Sequence, residues 1–172
     1  MSWVVVDTNV PVVANAKSDQ ASSDCVVICI GKLQQITGGR VRLVLDDQWL
    51  IVREYQSNLR SSGQPGVGDA FLKWVLTNKA NPTKCELVSI TPLDSQANNF
   101  REFPKDAALN DFDPSDRKFV AVALAHPEKP PILQAVDSLW WGVREALHQN
   151  GVRVDFICEA DIKALHARRQ RR

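Results

Sequence analysis

The chain has 172 residues, 44% of them hydrophobic and 24% charged, with a formal net charge of +1. That length suits one domain with a sizeable core, and the composition excludes wholesale disorder. The balance of charge excludes a global field for nucleic acid, so such binding must come from local charge.

In chain order, Trp3 to Val6 is a short apolar, β-branched run, which predicts a buried parallel strand ending at Asp7. Ser22 or Ser23 caps a predicted helix to Thr37, with Gly38-Gly39 as its stop and Val26, Ile30, Leu33 and Ile36 at helical spacing. Val41 to Leu45 is a second strand, after which Asp46 or Asp47 caps a helix from Gln48 to Arg60. Ser61 to Gly68 is polar and glycine-rich, hence a loop; Ala70 to Leu76 is a short helix and Glu86 to Ile90 a strand. Ser95 to Asn110 carries no assignable pattern. Asp113 fits an N-cap and Pro114 the first helical position, with Phe119, Val120, Val122, Ala123 and Leu124 as the apolar face and Pro127, Pro130 and Pro131 closing the helix. Ile132 to Val136 is a strand leading to Asp137, and Trp140 to Gln149 a helix stopped by Asn150-Gly151. Val152, Val154 and Phe156 alternate as a strand, and a last helix runs from Ala160 into a basic tail. Strands alternating with helices predict an α/β fold with a mainly parallel central sheet flanked by helices on both faces.

The N-terminal run Met1 to Asp7 lacks the basic start and long apolar core of a signal peptide. No stretch approaches the ~20 apolar residues needed to span a bilayer. The expectation is a soluble, cytoplasmic protein. Its four cysteines, Cys25, Cys29, Cys85 and Cys158, contain no Cys-x-x-Cys pair. Cys25 and Cys29 lie one helical turn apart among Val26, Val27, Ile28 and Ile30, which predicts buried, reduced thiols acting as small hydrophobes. The tail, with Arg168, Arg169, Arg171 and Arg172, either holds phosphate or is a solvated, frayed terminus.

The acids carry the functional reading. Asp7 and Asp137 each follow a predicted strand, and ligands of open parallel sheets bind outside the carboxyl ends of the strands. Either alone is explained as a turn or cap residue. Glu54 sits in a helical stretch with Leu50 and Ile51 on its own face, where an acid is costly unless paired or metal-bound; the plainer alternative is a surface Glu beside Arg53. Asp116 stands in the first turn of its helix, with Asp113 as a rival for the same place and Asp111 a remoter one. Four carboxylates without histidine or cysteine point to a hard cation, Mg²⁺ or Mn²⁺, which relieves their repulsion and activates water against a phosphate.

These residues resemble the motifs of PIN domains. Val4-Val5-Val6-Asp7-Thr8-Asn9 is similar to the opening strand and its Asp-Thr-Asn signature, and Ile51-Val52-Arg53-Glu54-Tyr55 to the second motif. Asp116 opening the helix of Phe119 to Ala123 resembles the third motif, and Ile132 to Asp137 the fourth. In order, they cover nearly the whole chain. The resemblance implies a single Rossmann-type domain over residues 1–158, with 159–172 as a C-terminal helix and basic tail. It implies an endoribonuclease dependent on Mg²⁺ or Mn²⁺, cutting single-stranded or structured RNA to leave a 5′-phosphate and a 3′-hydroxyl. Asp7, Glu54, Asp116 and Asp137 become the catalytic and metal-binding acids, with Thr8 and Asn9 orienting them. Many members are toxins neutralised by an antitoxin protein, and many self-associate as homo-oligomers. Arg53, Lys118, Arg168 and Arg169 are the candidates for contacting RNA. Trp140 and Trp141 either stack bases or, as the favoured alternative, pack in the core.

The chain departs from the pattern in two places. Val136 precedes Asp137 where a Thr or Ser is usual, and the segment from Ser61 to Asn110 is long for a compact toxin. A catalytically inactive PIN-like module that binds RNA or protein is the alternative function. A haloacid-dehalogenase-like phosphatase wants a second Asp two residues after the first, where Asn9 stands, and a receiver-like switch wants an acidic pair that is absent.

Overall fold

The computed structural model describes residues 2–63, 65–93 and 98–172. Met1 of the N-terminal run, Gln64 of the 61–68 loop and residues 95–97 of the 95–110 segment lie outside the described residues. The strands are β1 (Ser2–Val6), β2 (Val41–Asp46), β3 (Cys85–Val88), β4 (Ile132–Gln134) and β5 (Val154–Phe156). They form one sheet in the order β3-β2-β1-β4-β5, and every pairing is parallel. Val4, Val5 and Val6 are buried on both faces of the sheet, which explains their continuous rather than alternating apolar pattern.

Among the described residues, eight α-helices complete the α/β fold: α1 (Asn9–Ala14), α2 (Ser23–Thr37), α3 (Leu50–Asn58), α4 (Val67–Asn78), α5 (Arg117–Ala125), α6 (Ser138–Gly142), α7 (Arg144–Gln149) and α8 (Glu159–Gln170). Short 3-10 turns occupy Ala107–Leu109 and Pro114–Asp116. From β1 the chain steps one way through β2 to β3, then returns to the other side of β1 for β4 and β5. With right-handed crossovers, α1 to α4 cover one face of the sheet and α5 to α7 the other. The mutual contacts of α1, α2 and α4, and of α5 with β1, β2 and β4, agree with that division. The reversal leaves a topological switch point between β1 and β4, where Asp7 N–H donates to Leu133 O at 3.1 Å.

Most sequence boundaries hold, and the departures have physical causes. Ser22 caps α2 by accepting from Cys25 N at 3.2 Å, but the buried face is Cys25, Cys29, Leu33 and Ile36, which leaves Val26 and Ile30 half-buried and Val27 exposed. α1 has no counterpart among the predicted elements, since it is six residues long and carries Pro11 inside its first turn. It is fixed by tertiary packing: a Cβ on Gly68 of α4 would meet Pro11 O at 1.9 Å, so only glycine allows the two helices to approach. The helix expected over 140–149 is broken at Val143 into α6 and α7, and α6 begins earlier, at Ser138. The strand expected over 132–136 ends at Gln134, because Asp137 turns the chain into α6 by accepting from Leu139 N at 3.0 Å. Trp140 and Trp141 take the packing role: Trp140 is buried against Phe112 with ring centroids 5.0 Å apart, and Trp141 packs edge-on to Phe156, also at 5.0 Å.

The expectation of four reduced thiols is corrected. Cys25 and Cys158 are joined in a disulfide across a sequence separation of 133, with Cα atoms 5.3 Å apart, while Cys29 and Cys85 are free and buried. The bond ties the start of α2 to the start of α8. Ser22 adds to this junction, donating to Asp161 Oδ2 from its N–H at 2.6 Å and to Oδ1 from its hydroxyl at 3.0 Å. Ile162 is buried and α8 packs on α6, so the C-terminal helix is docked rather than frayed. Among the described residues, no helix is long and apolar enough to cross a membrane.

Candidate active site

Asp7, Glu54, Asp116 and Asp137, drawn from four separate stretches of sequence, line one open cleft of about 520 Å³ at the switch point, together with Thr8, Asn9, Gln20, Ser138 and Arg169. Asp7 arrives on the end of β1, Glu54 on α3, Asp116 at the junction of its 3-10 turn with α5, and Asp137 as the cap of α6. Asp113 does not line the cleft; its Oδ1 accepts from Ser115 N at 2.9 Å and Ser115 Oγ at 2.8 Å, which makes it the cap and leaves Asp116 as the acid that lines the cleft.

Each acid is held by a different device. Asp7 is 4% exposed, and its Oδ2 accepts from Asn9 N at 3.0 Å and Asn9 Nδ2 at 2.6 Å. Asn9 is itself fixed, accepting from Ala135 N at 2.9 Å and donating to Gln134 Oε1, so β1 and β4 are locked together beneath the cleft. Asp116 Oδ2 accepts from Trp140 Nε1 at 3.1 Å. Glu54 has both oxygens engaged: Oε1 with Lys118 Nζ at 2.7 Å and Oε2 with the Thr8 hydroxyl. Thr8 thus bonds Glu54 and Asn9 bonds Asp7 within the cleft.

The remaining oxygen, Asp7 Oδ1, is buried with no hydrogen-bond partner among the described residues. A buried, ionised carboxylate oxygen without a donor is costly unless it is protonated or meets a cation. Burial, reinforced by Asp116, Glu54 and Asp137, holds the Asp7 carboxyl well above the usual carboxylate range. Burial chiefly, with repulsion from Asp137, Asp113 and Glu54, pushes Asp116 up to about 7 against the pull of the Trp140 hydrogen bond. Asp137 is raised by burial and by Asp113, while Leu139 N–H and Arg169 pull it down.

Charge and donor type together fit a hard cation. Lys118 neutralises Glu54 and Arg169 lines the cleft, so two of the four negative charges are left uncompensated when all ionise. All four ligand candidates offer oxygen, the donor set of Mg²⁺ and Mn²⁺. No three of the carboxylates bring ligand atoms within 4.8 Å of one another among the described residues. Three of these carboxylates could therefore ligate one ion directly only after side-chain movement.

Of the expected RNA contacts, two are relocated. Lys118 is 7% exposed and also donates to Ser115 O, so it supports Glu54 from below and is inaccessible to RNA. Arg53 is exposed but donates to Gln48 O at 2.6 Å and does not line the cleft. Arg168 and Arg169, joined by Arg172, line an adjoining hollow with Asp19, Gln20, Ser138 and Leu165; Gln20, Ser138 and Arg169 belong to both depressions. Sequence reasoning missed Trp140 as the partner of Asp116, Lys118 as the partner of Glu54 and Gln134 as the strut behind Asn9. Only the last carried a signal, a buried glutamine in an otherwise apolar strand.

Comparison of this chain with protein-family models, with curated proteins and with solved structures finds no match in any of the three.

Proposed function

We propose that the chain is a PIN-like, Mg²⁺- or Mn²⁺-dependent endoribonuclease, hydrolysing phosphodiester bonds of single-stranded RNA in the acidic cleft. The observation that supports this reading most is the buried, partnerless Oδ1 of Asp7 facing three further carboxylates beside the switch point of a parallel sheet. Asp7, Asp116 and Asp137 are the residues that would hold the ion. When bound, such an ion supplies a lowered pKa to water and neutralises charge on the phosphate.

The chain's own residues do the rest. Asn9 holds Asp7 Oδ2 and leaves Oδ1 without a donor among the described residues, and Trp140 holds Asp116 Oδ2. Glu54, both of whose oxygens are already hydrogen-bonded, would orient attacking water or help to hold a second ion. Arg169 binds a phosphate beside Asp137, and Arg168 and Arg172 lead the backbone of a strand along the adjoining hollow. By the same resemblance the partners are RNA and, for a toxin-type member, an antitoxin protein. The reading puts its work in the cytoplasm.

The test is cleavage of a labelled single-stranded RNA set in Mg²⁺ or Mn²⁺ by the wild-type protein and by Asp7→Asn. Metal-dependent cutting, lost with chelator and with the substitution, is the expected result. RNA binding without cutting would replace the nuclease by an inactive binding module. Equal cutting by both proteins would move the activity away from Asp7.

A further inference from the structure

A second cluster stands apart from the acidic cleft, at the junction of α2 and α8. The sulfurs of Cys25, Cys29 and Cys158 all lie within 4.8 Å of one another, and all three residues are buried. A disulfide needs only two of them. Cys29 is the third, one turn along α2 from Cys25 on the same buried face. Sulfurs around a single ion with bonds of ~2.3 Å sit roughly 3.8 Å apart, so the Cys25 and Cys158 sulfurs must move apart once their bond is broken, with Cys29 already within 4.8 Å of both.

We propose that, when the Cys25–Cys158 bond is reduced, Cys25, Cys29 and Cys158 bind one soft, thiophilic divalent cation of the Zn²⁺ or Cd²⁺ class. Thiolate sulfur selects such ions over the hard cations that suit the acidic cleft. The bound ion then takes over the cross-link between α2 and α8 that the disulfide provides in the oxidised chain. The consequence reaches the cleft, because α8 carries Arg168 and Arg169 along its edge. The basic helix stays docked in both redox states, by a covalent bond in one and by an ion in the other.

The chemistry balances. Two equivalents of a small thiol supply two electrons, break the S–S bond, leave as their own disulfide and deliver a proton to each of Cys25 and Cys158. The cation then displaces one proton from each of the three thiols, and these pass to the buffer. Three protein ligands leave one coordination position for a small exogenous ligand.

The experiment uses the full chain, reduced without oxygen by a trialkylphosphine, which becomes its oxide with an oxygen from water. Cd²⁺ is titrated in while sulfur-to-metal charge-transfer absorption is followed in the ultraviolet. The reduced wild type is expected to saturate at one ion per chain and the oxidised protein to show no band. Cys29→Ser is expected to bind about tenfold or more weakly, and Cys85→Ser, lacking a thiol elsewhere in the core, as tightly as wild type. Zn²⁺ is expected to restore the melting temperature that reduction lowers. Oxidised Cys29→Ser keeps the disulfide, so its melting transition establishes that it folds. Absence of a band in the reduced wild type, equal affinity in Cys29→Ser, or equal loss in Cys85→Ser would each overturn the site. None of these results depends on whether the acidic cleft cuts RNA.

Discussion

Asp7 and Asp46 occupy equivalent places on neighbouring strands, and the protein uses them in opposite ways. Both are buried at the carboxyl edge of the parallel sheet, at 4% and 0% exposure. Asp46 spends both oxygens on main-chain donors, Leu50 N at 2.8 Å and Ile51 N at 2.9 Å, and so satisfies the first turn of α3. Asp7 gives one oxygen to Asn9, leaves the other without a partner among the described residues, and lies near Glu54, Asp116 and Asp137. The same residue type at the same kind of strand end is thus a satisfied cap on β2 and a carboxylate with one oxygen left without a donor among the described residues on β1. Burial and residue identity alone do not separate them; the hydrogen-bond partners do.

That contrast is open to attack by substitution. The largest effect is expected from Asp7→Asn, which keeps the shape of the side chain but removes its charge. RNA cleavage should fall by roughly 100-fold or more, while the melting temperature of the metal-free protein holds or rises, because a buried charge is relieved. Asp46→Ala should do the reverse. It strands two helix N–H groups and should cost about 2 kcal/mol of stability in denaturant unfolding, with the cation response kept. If both variants simply lost stability, Asp7 would be another cap.

A smaller effect comes from pH. With Asp116 raised to about 7 from an ordinary 3.8, the folded chain holds a proton across that window that the unfolded chain has released. The metal-free protein should therefore lose stability as pH rises from about 4 to about 7, by up to about 1.4 kcal/mol for each tenfold fall in proton concentration. Asp7 and Asp137, also raised, act with the same sign. Mg²⁺ should offset the loss at neutral pH and do little at about pH 5, which thermal melts with and without the ion would read. The smallest effect is expected from Trp140→Phe. It removes the donor to Asp116 Oδ2, should cost about 1 kcal/mol, and should move the pH-dependent loss to higher pH, since the lost hydrogen bond favoured the charged form.

Much of this arrangement was legible in the chain because it is written in short-range pattern. The apolar run before Asp7, the capping serine of α2 and the Asp113-Pro114 start need only neighbouring residues to be read, and the structure keeps all three. The four acids that line the cleft were named for the same reason, each by its place on a predicted element. What escaped is tertiary. Lys118 looked like an exposed phosphate contact, and only the approach of α5 to α3 turns it onto Glu54. Asp113 and Asp116 were rivals until Trp140, on another element, bonded one of them. The Cys25–Cys158 bond joins residues that nothing in their spacing connects, and α1 is too short to declare itself without its packing on α4.

The most direct test of the cleft is calorimetric titration of the chain with Mn²⁺ at neutral pH, comparing wild type, Asp7→Asn and Asp46→Asn. The account predicts binding by wild type, a loss of roughly tenfold or more in affinity for Asp7→Asn, and unchanged affinity in whatever fraction of Asp46→Asn is folded. Equal Mn²⁺ affinity in wild type and Asp7→Asn, or none in wild type, would contradict it.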